Sequence, residues 1–258
     1  MTWLTQSLDW TVDRAHRLSL GRFRYHPYFV ATDLAALASW ALAVTLCGHF
    51  RVLPFWVFLL EFFVMVAAYR VFLLFKARVL GIRSRSFLQD TLLFLIPAFA
   101  LLNHLLGYPL ALAFDLFGAT LPLFAGMIRI GCFLGGCCYG VPSRHGVLYS
   151  ENIFKSETGC RTFQPGANPQ TRVIPTQLIE SAGLLTLSFF ITQSLLAQEQ
   201  AQGRALPTFL LGYSAFRFGL DFFRRSSARP RVGFLSEAQV FCLVTSAASS
   251  LFLLWWKP

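Results

Sequence analysis

Charge is scarce in this chain. Of its 258 residues only 13% are Asp, Glu, Lys or Arg, where a soluble protein carries about a quarter. That shortage excludes an ordinary soluble globule and leaves a chain whose solvent is largely lipid. No cleavable signal peptide is expected from the first 28 residues, because they are polar. They carry Asp9, Asp13, Arg14, Arg17, Arg22 and Arg24 and contain no apolar core region. The six cysteines lack regular pairing spacing, which excludes a disulfide framework. Internal repeats and low-complexity segments are absent too. The expectation is therefore one transmembrane domain over residues 1–258, with a polar N-terminal tail at 1–28.

Apolar residues make up 55% of the chain, and they are gathered into runs. A span through hydrocarbon needs about 20 mostly apolar residues. Seven candidates meet that need: Phe29–Phe50, Leu53–Phe75, Phe87–Leu106, Pro109–Ile128, Thr176–Ala197, Pro207–Phe223 and Ala238–Trp256. The fold class predicted is all-α, a polytopic bundle of seven membrane helices. Between spans four and five, residues 141–175 are rich in Gly, Pro, Asn and Thr and read as an extramembrane lid. The net charge of +10 does not indicate nucleic acid, since the arginines sit in short loops beside the spans. Basic loops so placed meet anionic lipid headgroups.

The few charges inside the spans carry more information than the apolar residues. Asp33, Glu61, Arg70, Asp90, Asp115, Glu180, Arg217 and Asp221 fall within predicted spans, and Arg129 sits at the edge of one. An ionisable group in hydrocarbon costs roughly 3 kcal/mol or more, so such groups face a bundle interior or a wet cavity. Two readings stand for each: a buried structural ion pair, or a wall of a polar cavity. For the set as a whole the cavity is preferred. Arg217 and Asp221 are four residues apart on one helix face. They read either as a self-neutralising pair or as a carboxylate that orients a guanidinium toward a phosphate.

The segment RIGCFLGGCCYG, Arg129 to Gly140, is the most distinctive. Gly131 and Gly135 are four apart, as are Gly136 and Gly140, which suits close helix packing or a broken backbone beside a cavity. Arg129 on such a backbone is a natural receptor for an anionic headgroup, because its planar fork grips phosphate oxygens in pairs.

Taken together these segments resemble one family. RIGCFLGGCCYG resembles the signature of prolipoprotein diacylglyceryl transferases, which begins Arg-(Ile/Leu)-Gly-Asn-Phe and ends in an aromatic-Gly pair. IPTQLIE, Ile174 to Glu180, resembles its His-Pro-Ser-Gln-Leu-Tyr-Glu, and FLLGYSAFRFGLDFFR, Phe209 to Arg224, resembles its Gly-Tyr-Gly-x-x-Arg-x-x-x-Glu-x-x-Arg helix. YHPYF at Tyr25 to Phe29 and AAYRVFLLF at Ala67 to Phe75 are similar to its first and second spans. The resemblance implies transfer of the diacylglyceryl group of phosphatidylglycerol to the cysteine thiol of a lipoprotein precursor, with release of glycerol phosphate. It implies no cofactor and no metal, and a multi-pass place in a bacterial plasma membrane. Arg129 and Arg217 would bind the phosphate, while Tyr28, Arg70, Gly131, Gly140, Glu180 and Asp221 would line the substrate site.

This chain departs from the family pattern at several positions. The signature asparagine is Cys132, and Cys137 and Cys138 follow it. Where the family has a His-Gly-Gly at its third span, Gln89, Asp90 and Thr91 stand, and the His-Pro-Ser-Gln histidine is Ile174. His145 or His26 is then the candidate to help deprotonate the thiol, with His145 taken as the catalytic choice. Loss of the usual histidine also keeps open a non-catalytic protein that binds or moves lipid, or a relative with another acceptor. The cysteines read first as small packing residues. A disulfide from Cys160, a metal site or a thiol that carries a lipid group transiently are the other readings.

Orientation is read in two opposed ways. Sixteen Lys and Arg fall in loops on the side of the N-terminus and the lid, and three, Arg51, Arg204 and Lys257, on the other. That split places the lid and Arg129 at the cytoplasmic face. The resemblance implies the outward arrangement.

Overall fold

A computed structural model describes residues 3–17, 27–51, 63–64, 67–68, 71–72, 74–75, 78, 88–149, 171–224 and 231–256. The described residues form seven helices: α1 (Trp3–Arg17), α2 (Pro27–Phe50), α3 (Leu88–Leu105), α4 (Leu110–Leu134), α5 (Thr176–Leu196), α6 (Ala205–Asp221) and α7 (Glu237–Trp255). Three short strands accompany them: β1 (Pro142–Val147), β2 (Arg231–Val232) and β3 (Leu235–Ser236). Among the described residues four helices, α2, α4, α5 and α7, are long and apolar enough to cross a membrane. Their outer faces carry Leu34, Leu37, Phe189, Phe190, Val244 and Leu251, all exposed. In water such a surface would be unfavourable, but against lipid it has nothing to hide from. The chain is a helical membrane protein. Most of the expected span Leu53–Phe75, Glu61 and Arg70 included, lies outside the described residues, as do the side chain of Asp90 and the whole of His26 and Cys160.

Two boundaries differ from the expectation. The sequence predicts that the fourth span ends at Ile128, whereas α4 runs on to Leu134. At 25 residues it is about 37 Å long, more than the ~30 Å hydrocarbon thickness, so Arg129 sits inside a continuing helix. The N-terminal stretch, read as a polar tail, holds the 15-residue helix α1. Its apolar residues Leu8 and Val12 are four apart and pack together with Phe133, Tyr139, Val147, Tyr149 and Val173.

The chain divides into two compact units. The first comprises Met1–Ala38, Pro122–Leu187 and Gly212–Ser246. In it Asp9 of α1 binds Arg172 (Nη2–Oδ2, 2.6 Å) and accepts the backbone N–H of Leu148 at 2.9 Å. Arg172 in turn donates to the Gly146 carbonyl at 2.7 Å. The described parts of the expected lid, 141–149 and 171–175, are thus tied to one another and to α1. β2 and β3 form an antiparallel hairpin leading into α7.

The second unit comprises Ser39–Leu121, Ser188–Leu211 and Ala247–Pro258. Its organising residue is Asp115 of α4, which is fully buried. Asp115 accepts the backbone N–H groups of Gln202 (2.7 Å), Gly203 (2.9 Å) and Ala205 (2.9 Å). These groups lie at the start of α6, where a helix leaves its first donors unsatisfied and favours negative charge. Gly203 takes a positive φ of 74° there. The Cα of Ala111 lies only 3.0 Å from where a Cβ on Gly203 would stand. Trp256 closes the same turn by donating to the Gln202 carbonyl at 2.7 Å. Asp115, expected on a cavity wall, is a helix cap instead, while Asp33, also expected to face inward, is exposed on α2.

Asp115→Ala leaves three backbone donors at the head of α6 without their acceptor. The expected loss of stability is about 2 kcal/mol or more, read as a lower thermal midpoint in detergent. An unchanged midpoint would show that the carboxylate is not what holds this turn.

Candidate functional site

The site begins with how α4 ends. Gly136 adopts a left-handed φ of 67°, its N–H donates to the Phe133 carbonyl at 3.2 Å, and the Cys137 N–H donates to the Cys132 carbonyl at 3.0 Å. This pair of bonds around a left-handed glycine is the Schellman close of a helix. It reverses the chain just past Arg129 and sends Cys138, Tyr139 and Gly140 back toward α5 and α6. Gly140 then threads between them: its N–H donates to the Ile174 carbonyl at 2.9 Å, and the Val141 N–H donates to the Phe223 carbonyl at 3.0 Å. A Cβ on Gly140 would lie 2.5 Å from the Phe223 oxygen and 2.7 Å from Thr176 Cγ2. No side chain fits there.

This stitching brings three guanidinium groups to one carboxylate, all within the first compact unit. Glu180 stands one turn into α5 and is 1% exposed. Its Oε2 lies 3.0 Å from Arg129 Nε and accepts a hydrogen bond from Arg224 Nη1 at 3.1 Å. Its Oε1 accepts the Tyr213 hydroxyl at 2.7 Å and lies 3.8 Å from Arg217 Nε. Arg217 also reaches Asp221 one turn on, with Nη2 3.3 Å from Oδ1, and Asp221 accepts the Ser236 hydroxyl on its other oxygen. The cluster therefore holds three positive and two negative groups. Arg217 Nη1 is buried and has no hydrogen-bond partner among the described residues. A charged donor left so is costly.

Around the ions lies a layer of carbonyl and amide contacts. Thr176 Oγ1 donates to the Cys138 carbonyl at 3.1 Å, and Arg224 Nη2 donates to the same oxygen at 3.5 Å. Gln177 Nε2 donates to the Cys137 carbonyl at 2.6 Å and to the Tyr149 hydroxyl at 3.2 Å. Burial pushes the Tyr149 phenol well above its ordinary range, so it stays neutral and accepts that bond.

Of the residues expected from the sequence, the structure brings together Arg129, Arg217, Glu180 and Asp221. Gly140 positions them. Gly131 lies against α2, where a Cβ would be 2.7 Å from the Ala31 Cβ and 3.3 Å from the Tyr28 backbone, so its part is packing. Tyr28 sits on α2 beside it, with its ring edge-on to Phe29 at 5.7 Å. His145 is exposed on β1, and its backbone N–H donates to Ser143 Oγ; its ring stands outside the ion network. Arg70 falls outside the described residues. The disulfide considered from Cys160 to Cys137 or Cys138 involves a residue outside the described ones. Sequence reasoning missed the parts played by Arg224 and Tyr213. Their signal was present: positions 213, 217, 221 and 224 make one polar stripe along an otherwise apolar helix and its end.

Comparison with known proteins gives a consistent picture. The profile of the family described as prolipoprotein diacylglyceryl transferase matches residues 90–256. A phosphatidylglycerol--prolipoprotein diacylglyceryl transferase of Clostridium tetani is 32% identical over 133 residues, 51% of this chain and 48% of that protein. A second such enzyme, numbered 2, from Clostridium perfringens is 30% identical over 133 residues, 50% of this chain and 47% of its own length. That of Chlorobaculum tepidum is 30% identical over 145 residues, covering 55% and 46%. The chain thus spans about half the length of the curated relatives it matches.

Removing the shared carboxylate tests the site's electrostatics. Glu180→Gln keeps the shape and leaves three guanidinium groups facing one another, at an expected cost of about 3 kcal/mol. Inorganic phosphate should recover part of that loss in a thermal melt of the variant by occupying the cationic centre. A variant as stable as the parent, and indifferent to phosphate, would refute the arrangement.

Proposed function

The chain belongs to the prolipoprotein diacylglyceryl transferase family, and from that premise we propose that it transfers a diacylglyceryl group from an anionic phospholipid to a cysteine thiol. The donor is phosphatidylglycerol and the acceptor a lipoprotein precursor, both carried over from the family. The observation that carries the reading is the imbalance at Glu180. One buried carboxylate anchors three guanidinium groups and leaves Arg217 Nη1 without a hydrogen-bond partner among the described residues.

The chemistry suits that imbalance. The acceptor thiolate attacks the glyceryl carbon bonded to the phosphate oxygen. A carbon–sulfur bond forms, the carbon–oxygen bond breaks, and glycerol phosphate leaves with the bonding electrons. Negative charge moves onto the departing oxygen. Arg129 and Arg217, held in place by Glu180 and Asp221, stabilise it more strongly in a low-dielectric site than water would. Fixing them beforehand means little reorganisation during the reaction. The thiol's proton goes to a base, for which His145 is the group proposed. Tyr28 and Arg70 are proposed to line the lipid's path, with Gly131 and Gly140 setting the backbone around it.

The architecture proposed with this function is a single domain of seven spans in a bacterial plasma membrane. It uses α2 to α7 and a further span over Leu53–Phe75, with residues 141–175 as the lid. The sixteen-to-three split of Lys and Arg supports placing the lid and Arg129 on the cytoplasmic side. A reporter active only in the cytoplasm, fused after Lys257, should then be silent. An active reporter would reverse the orientation.

Purified protein given phosphatidylglycerol and a peptide with a lipoprotein acceptor cysteine should release glycerol phosphate. Arg217→Ala and Arg129→Ala should each lower turnover by roughly 100-fold or more. His145→Ala should lower it in a way that raising the pH partly restores. Full turnover in either arginine variant would remove the phosphate-binding role, and an unaffected His145→Ala would place the base elsewhere.

A further inference from the structure

The end of α4 carries a second cluster that the transfer reaction does not use. The Schellman turn folds Cys137 back over Cys132, its partner across the motif, where side chains at these two positions ordinarily meet. Cys138, the next residue, is held in a left-handed conformation with φ 61°. Such a φ is unfavourable for a residue with a Cβ, and hydrogen bonds to the carbonyls of Cys137 and Cys138 from Gln177, Thr176 and Arg224 keep it there. The result is that the Sγ atoms of Cys132, Cys137 and Cys138 all lie within 4.8 Å of one another. Cys132 and Cys137 are buried, and Cys138 is partly exposed.

Packing alone explains one buried thiol at a helix end, since cysteine behaves as a small apolar residue. It gives no reason for three sulfurs to converge, nor for a strained backbone that aims the third at the other two. Metal coordination gives one. With metal–sulfur bonds of about 2.3 Å, three thiolates around one ion stand roughly 4 Å apart, so sulfurs within 4.8 Å of one another need to close by at most about 1 Å. The amide and hydroxyl contacts on the two carbonyls act as the outer layer that fixes ligands in place.

We propose that Cys132, Cys137 and Cys138 form a three-thiolate site for a soft d10 cation, with Cu(I) the best match. An all-sulfur donor set selects soft ions, and three donors suit Cu(I), whereas structural zinc takes four. Binding forms three metal–sulfur bonds and releases up to three thiol protons to solvent. No change of oxidation state is involved. The ion ties the last turn of α4 to the Cys138 peptide, and through Thr176 and Arg224 to the start of α5 and the end of α6. The proposal stands on the thiols alone and is independent of the transferase reading.

The test uses the full chain in detergent, reduced and kept free of oxygen, titrated with Cu(I) buffered by a chromogenic Cu(I) chelator. The protein should withdraw one Cu(I) per chain and develop thiolate-to-copper charge-transfer absorption in the ultraviolet. Cys132→Ser, Cys137→Ser and Cys138→Ser should each weaken uptake at least tenfold, while Cys47→Ser and Cys242→Ser bind like the parent. A readout in the unaltered protein covers any serine variant that fails to fold: Cu(I) should block maleimide labelling of Cys138. Failure to take Cu(I) from the chelator, uptake that survives all three serine substitutions, or labelling of Cys138 unaffected by Cu(I) would overturn the proposal.

Discussion

One buried carboxylate holds this half of the structure together. Glu180 is almost wholly enclosed and touches Arg129, Arg217, Arg224 and Tyr213. Those partners come from α4, from α6 and from the turn after α6. Charges withdrawn from water need partners, and removing one member of such a group costs several kcal/mol. The constraint runs in both directions. Glu180 requires the arginines, and three mutually repelling guanidinium groups require Glu180. Gly140 and the left-handed Gly136 follow from it, because the chain must pass close enough to bring Arg129 and Arg224 to the same two oxygens.

Two other acids, the buried Asp115 and the partly buried Asp9, are used differently, and the contrast shows why Glu180 is singled out. Asp115 is satisfied by three backbone N–H groups and needs no cation. Asp9 binds Arg172 and a backbone amide where α1 meets the loop around β1. Both arrangements close on themselves. The cluster at Glu180 does not, since its positive charge exceeds its negative charge and one guanidinium nitrogen has no partner among the described residues. A site that is rigid, cationic and one acceptor short is suited to an anion.

Much of this was legible in the sequence. The bounds of α5 were read to within a residue, because Pro175 precedes a long apolar run. Arg129, Glu180, Arg217 and Asp221 were singled out because charge in a span must have a partner, and they do meet. Three features were harder to read. α4 was cut short at Arg129 because a charge was taken as a membrane boundary, whereas an ion pair lets the helix continue through it. α1 was read as a polar tail because its net polarity masked the four-residue spacing of Leu8 and Val12. Arg224 enters the sequence reading only as the last residue of the Phe209–Arg224 segment, though it lies seven residues from Arg217. The convergence of the three thiols depends on the helix-ending turn at Gly136, and the spacing of the cysteines suggests it only once that turn is known.

The central claim is that the Glu180 cluster receives a lipid phosphate. A structure of the protein with phosphatidylglycerol bound tests it most directly. The account predicts phosphate oxygens within hydrogen-bonding distance, about 3 Å, of Arg217 Nη1 and of Arg129. A headgroup bound elsewhere, with Arg217 Nη1 still facing no ligand, would contradict it.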